Sequence, residues 1–324
     1  MAASLFPMKI LTALVLLATL SCGAVRAVDL IADSSFQRGF IVKDSNGKKQ
    51  QILRWNDSGE PIWETAQYYS KSSLADPRHL TTRPNGLTFR DDFQTFIVHP
   101  ENGEADLILG VNGFNEYGGV YRKQGEPWPH EYVSQRISDP NGHLGAASPR
   151  LSDIDRFDLS FDFRLIHNNP HRGPGYNPSI HAAQFLFFLT VQNLNRDSKG
   201  YGSYYWFGIS LYDSRQPVTS LFFMQDKGSA LKKGTDAFIY NVGIAPFTKK
   251  IVANGDWVSI HNDILPYIRA GLQEAWKQGF LTTSTNLADY RFGGMVLGWE
   301  ITGLDDVAAE VKNLEASAIL KASK

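Results

Sequence analysis

The apolar positions of this chain fall mostly in short runs with a period of two. "FDLSFDFRL" sets Phe157, Leu159, Phe161 and Phe163 on one face and Asp158, Ser160, Asp162 and Arg164 on the other. That pattern predicts a strand with one buried and one wet face. "FQTFIVH" (93–99), "ADLILGVNG" (105–113) and "SYYWFGISLYD" (203–213) are similar runs of aromatic and β-branched residues bounded by turn formers. "AAQFLFFLTVQN" (182–193) contains "FLFFLTV", apolar on both faces, and predicts a strand deep inside a sheet. Many short strands with turn signals between them point to an antiparallel sandwich or jelly roll. One segment departs from this texture. In "NDILPYIRAGLQEAWKQG", Ile264, Ile268, Leu272 and Trp276 recur every four residues, which is a helical stripe. Asn262 or Asp263 is placed to cap it, Pro266 suits its first turn and Gly279 ends it. Such a helix is expected on the convex side of a sheet, where its stripe finds an apolar surface.

The first 27 of the 324 residues read differently. "MKILTALVLLATLSCGAVRA" carries a lysine, a short apolar run and small residues ending at Ala27, the layout of a secretory signal cleaved after Ala27. The run is too short for a membrane span. Cys22 opens a lipoprotein alternative, although Thr19-Leu20-Ser21 fits a lipobox poorly. Cleavage after Ala27 leaves a mature chain without cysteine, so an exported or periplasmic protein is expected to rely on its core rather than on disulfides. Removing a leader that carries Lys9, Arg26 and no acid takes the net charge from −1 to −3. A mildly acidic chain without a basic run argues against nucleic acid and anionic membranes as partners, and weakly against a strongly anionic polysaccharide. No repeat or linker divides the rest. Residues 28–90 read as an N-terminal extension or edge strands, and 91–324 as the jelly-roll domain, expected to be a monomer.

The C-terminal third carries a more specific pattern. After the helix come Gly279, "FLTTSTNLADYRFGGMVLGWEITG" (280–303) and a closing "AAEVKNLEASAIL". One helix, a short crossing segment and a strand bearing Gly-x-Glu followed by glycine resemble family 12 glycoside hydrolases, which are secreted endoglucanases of the concanavalin A-like jelly-roll type. The resemblance implies that Glu300, in "LGWEITG", is a general acid/base. The family's nucleophile lies in a Tyr-Glu-Leu/Ile-Met-x-Trp strand. The most similar strand here, "YGSYYWFG" (201–208), has no glutamate.

Glycoside hydrolysis needs two carboxyl groups about 5 Å apart in a retaining enzyme and roughly 6.5–9.5 Å apart in an inverting one. Glu300, set between Trp299 and Ile301, is either such a group on a concave face or half of a structural ion pair. Its partner is Asp213 or Glu131. Asp213 also reads as part of a turn, "DSRQP", fixed by Arg215. By the two-residue period Trp206, Gly208, Ser210 and Tyr212 share one face, suited to a sugar lying along a groove, while Tyr205, Phe207, Ile209, Leu211 and Asp213 share the other. Trp128, between Pro127 and Pro129, is either a sugar contact or a core plug. His181, Gln184, Tyr204, Tyr205, Arg136 and Asn193 offer the residue types of a β-elimination site, with a buried, hydrogen-bonded His181 as the alternative. His167 and His171 lie in a Pro- and Gly-rich loop that forbids a shared helical face, so no metal site is expected. Neither a nucleotide nor a nucleophile-elbow fingerprint appears, and no cofactor is expected; no Asp-rich loop marks a structural calcium.

The expectation is therefore an all-β, antiparallel jelly-roll sandwich with one C-terminal amphipathic helix. It binds a polysaccharide in an aromatic-lined groove and hydrolyses it with Glu300 and Asp213, with Trp206, Tyr212, Trp128, His181, Gln184 and Tyr205 as substrate contacts. The alternatives are a non-catalytic glycan-binding module and a lyase built on His181 and Tyr205.

Overall fold

A computed structural model describes residues 26–44, 46–230 and 233–322. The expected leader lies outside the described residues except for Arg26 and Ala27. Strands are numbered along the chain. One sheet contains β1 (Ala27–Asp29), β5 (Leu80–Arg83), β6 (Gly86–Arg90), β7 (Gln94–Val98), β8 (Leu107–Asn112), β10 (Ile154–Pro170), β15 (Trp257–Asp263) and β17 (Asp305–Leu320). Their spatial order is β15-β10-β17-β8-β7-β6-β5, and β1 also pairs with β17. The other contains β2 (Phe40–Lys43), β3 (Lys49–Leu53), β4 (Trp63–Tyr68), β9 (His130–Arg136), β11 (Ala183–Asn193), β12 (Tyr204–Asp213), β13 (Phe222–Gln225), β14 (Phe238–Asn241) and β16 (Tyr290–Ile301). It runs β13-β14-β12-β11-β16-β9-β4-β2-β3. Pairing is antiparallel except between β2 and β4 and between β12 and β14. This is the jelly-roll sandwich that the alternating runs predict. Residues 40–68 supply the second sheet and 80–90 the first, so this stretch belongs to both layers.

The core lies between the sheets. Phe157, Leu159, Phe161 and Phe163 of β10 and Phe185, Phe187, Leu189 and Val191 of β11 are buried there. The alternation read in "FDLSFDFRL" is the cause: every second side chain leaves water, at about 25 cal/mol per Å² of apolar surface. Trp299 of β16 is fully buried, and its indole N–H donates to the Leu109 carbonyl of the opposite sheet at 2.9 Å. A large apolar side chain thus enters the core without stranding its one polar group.

The helical stripe forms α2 (Leu265–Lys277); a single turn, α1 (Gly113–Tyr117), precedes it in the chain. Asp263 accepts the Leu265 N–H at 3.0 Å, Pro266 lies in the first turn, and Gly279 follows with φ +85°. The packing differs from the expectation of a convex surface. The helix touches β10 of one sheet and β12 and β14 of the other, closing the core between them. Connectivity explains this: β15 before it and β16 after it belong to different sheets, so α2 crosses from layer to layer. Its close approach needs Gly271, where a Cβ would lie 2.9 Å from the rings of both Tyr205 and Tyr240.

Candidate functional site

The outer face of the second sheet carries the exposed chemistry. β16 is the middle strand of nine, and Glu300 lies near its end, opposite His130 of β9 on one side and Gln184 of β11 on the other. Its side chain is 23% exposed. The Trp128 indole N–H donates to Oε2 at 3.2 Å, the Tyr132 phenol donates to Oε1, and His130 Nε2 is 3.9 Å from Oε1. The rings of Trp128, Tyr68 and Tyr132 surround His130, with centroids 5.4–5.5 Å from it. Burial, then the nearby Glu300 charge, push the Tyr132 phenol well above its ordinary pKa, so it stays protonated and donates. Alternation along "HEYVSQR" is the reason for this cup: His130 and Tyr132 face outward, Glu131 inward.

That same alternation removes Glu131 from consideration as the second carboxylate. It is wholly buried between the sheets, where desolvation raises its pKa well above the ordinary carboxyl value. Asp213 is placed differently. Gln184 pairs with Glu300 on one side and with Asp213 on the other, so the three stand abreast across β16, β11 and β12. Two strand spacings separate the outer pair by about 10 Å between backbones. Asp213 is nonetheless only 2% exposed. Arg215 grips both its oxygens, through Nε at 2.8 Å and Nη2 at 2.6 Å, while its backbone N–H donates at 2.9 Å and Gln184 Nε2 adds a bond at 2.9 Å. The turn reading of "DSRQP" therefore matches its contacts.

The outward row expected on β12 breaks at a bulge. Phe185 pairs with Tyr212 but Leu186 pairs with Ser210, leaving Leu211 as an extra residue. Beyond it the faces exchange. Asp213 joins outward Gln184. Tyr212 turns inward instead of lining a groove: its phenol accepts a bond from Asn168 of the other sheet at 2.6 Å, and its ring is 6.1 Å from Trp299. Ser210 is buried too, and the space above Gly208 is filled by Phe188, whose Cε1 is 2.3 Å from where a Cβ would be. What remains outward is an aromatic cluster in which Trp206 stands 5.5 Å from Tyr204 and 5.9 Å from Phe188. Thr235 caps it, taking a 3.4 Å contact from the Trp206 indole and donating to Asp226 at 2.7 Å.

Two expected contacts are withdrawn from the face altogether. Tyr205 is fully buried, its phenol donating to the Ile268 carbonyl of α2. His181 is also buried; Nε2 donates to the Arg122 carbonyl at 2.8 Å, and Nδ1 accepts the Asn177 N–H at 2.9 Å. They sit at opposite ends of the β11–β12 pair, so no single sugar meets both. Trp128 and Gln184 do lie beside Glu300. His130, Tyr132 and Tyr68 were not singled out from the sequence, although the alternation around them was legible; Asp226 had no local signal.

No family model matches the chain, and no curated protein matches it in sequence. Solved structures show a likeness in strand arrangement. Endoglucanase cel12A from Rhodothermus marinus is 9% identical over 72% of this chain and 92% of its own, with a TM-score of 0.36. A metagenome-derived glycoside hydrolase family 12 endoglucanase is 12% identical over 81% and 100%, with 0.39. The family 11 xylanase from Neocallimastix patriciarum is 11% identical over 74% and 94%, with 0.36. A likeness at this level says nothing of substrate or of individual residues.

Proposed function

We propose that the chain is a secreted carbohydrate-active protein that holds a polysaccharide along the outer face of the nine-stranded sheet and hydrolyses its glycosidic bonds with Glu300 as acid/base. The observation that carries this reading is the cup around Glu300. A partly exposed carboxyl group stands on the middle strand, positioned through both oxygens by Trp128 and Tyr132 and bordered by aromatic rings. A carboxyl group so placed reaches a glycosidic oxygen from the sheet side, where its protonated form supplies the proton that the leaving sugar needs. The rings of Trp128, Tyr204 and Trp206 give flat apolar surfaces for sugar rings.

Asp213 stands in the same transverse row, two strands from Glu300, but acts as a base only if Arg215 releases it. Its burial favours a second reading, a glycan-binding module without turnover. The lyase reading loses its residues with the burial of His181 and Tyr205. Incubating the mature chain with a panel of soluble polysaccharides, with binding and new reducing ends measured together, separates the readings. Binding with product supports the hydrolase and binding without product the module; no binding to any member contradicts both.

A further inference from the structure

At one end of the sandwich lies an open cavity of about 1000 Å³, walled by Phe114, residues 119–124 and 170–175, Asn177, Ile180, His181 and Leu304. No Asp or Glu lines it, whereas Arg122, Lys123, His171 and Arg172 do. Arg172 is neutralised by Asp305, 3.2 Å away. Arg122 is not. It is 8% exposed, yet among the described residues no carboxylate lies within ion-pair distance. Its guanidinium instead donates to the carbonyls of Lys123, Glu126 and Ile180, and Nε is buried without an acceptor. Carbonyl dipoles offset part of the cost of burying a cation, but the charge itself stays uncompensated. Lys123, exposed at the rim, has no ion-pair partner among the described residues either; Glu126 Oε2 accepts the Lys123 backbone N–H at 2.8 Å.

Arg122 links the cavity to the Glu300 site. The Arg122 guanidinium lies 5.2 Å from the centre of the Trp128 ring, whose N–H donates to Glu300. Its walls also offer rings: His171 packs on exposed Phe114 at 4.5 Å, and Tyr121 lines the floor. We propose that this cavity receives an anionic sugar residue, bearing a carboxylate or a sulfate ester, of the same chain that lies across Glu300. The inference rests on the polysaccharide reading and adds a charge preference to it. It also runs against the overall negative charge of the chain, because a concave site responds to its own lining rather than to the net charge.

The test is isothermal titration of the mature chain with trimers of glucuronate, galacturonate and mannuronate, each against its uncharged methyl ester, and with a sulfated galactose trimer against its unsulfated form. In at least one pair the charged ligand is expected to bind about tenfold more tightly at low salt, as one charge-assisted contact implies. The gap should narrow at high salt, and the winning pair tells carboxylate from sulfate. Lys123→Ala should cut the preference several-fold, weakening the charged member of the pair more than the neutral one, and Arg122→Met should remove the remainder. Should Arg122→Met not fold, Lys123→Ala alone decides. Equal binding of charged and neutral members in every pair, or binding of none of them while a polysaccharide of the wider panel still binds, overturns the inference and leaves the polysaccharide reading standing; no binding to any trimer or polysaccharide overturns both.

Discussion

Glu131 and Glu300 lie on neighbouring strands and face opposite ways, and the difference decides what each can do. Glu300 meets water; Glu131 is buried between the sheets with a raised pKa. A carboxyl group whose folded pKa is raised binds a proton that the unfolded chain has already lost, so its contribution to stability is complete below about pH 4.5 and is lost as pH rises. Glu131→Gln should therefore flatten the fall in stability above that pH and make the variant more stable than wild type at pH 8, as denaturant unfolding at several pH values will show. An unchanged pH profile would mean that Glu131 is not held neutral. Asp213 makes a second prediction at this scale. Arg215→Ala leaves a buried carboxylate without its main partner and should cost about 1–3 kcal/mol of unfolding free energy. A loss near zero would show the pair to be free enough to open, as a catalytic Asp213 requires.

Elements show how far a period carries. The alternation that marks β10 and β11 in the sequence is the one that buries Phe157, Phe161, Phe185 and Phe187, and the four-residue stripe of α2 buries Ile268 and Leu272. Local pattern was sufficient there because burial of one face is what shapes those elements. It failed at Leu211, where one extra residue reverses the faces of everything after it, turning Tyr212 inward and Asp213 outward. Nothing in "ISLYD" marks a bulge, whose position is set by the partner strand. The face chosen by α2 was also illegible, since it depends on β15 and β16 belonging to different sheets. Gly271 records that choice. Gly271→Ala would gain about 1 kcal/mol of helix propensity on an open helix, but here the added methyl meets Tyr205 and Tyr240 and should destabilise by about 1–3 kcal/mol. A more stable variant would mean that α2 stands further from the sheet.

At the scale of the molecule, two sheets share one core, and the outer face of the nine-stranded layer carries the proposed site. Along that face the aromatic cluster of Trp206, Tyr204 and Phe188 is on β11 and β12, and the Glu300 cup is on β16 and β9. If one glycan spans both, Trp206→Ala should weaken binding about tenfold, with little change in thermal midpoint because the ring is only partly buried. Unaltered affinity would confine the ligand to the Glu300 end. Glu300, the proposed acid, was singled out through the Gly-x-Glu strand. The residues that hold it come from the 128–132 segment, about 170 positions away, and only the folded sheet joins them. The most direct test of the account is to compare wild type and Glu300→Gln on the polysaccharides that bind, counting new reducing ends and measuring affinity on the same samples. The account predicts product from wild type, a loss of at least about a hundredfold in the variant, and affinity kept in both. Product formed equally by the two proteins would contradict it.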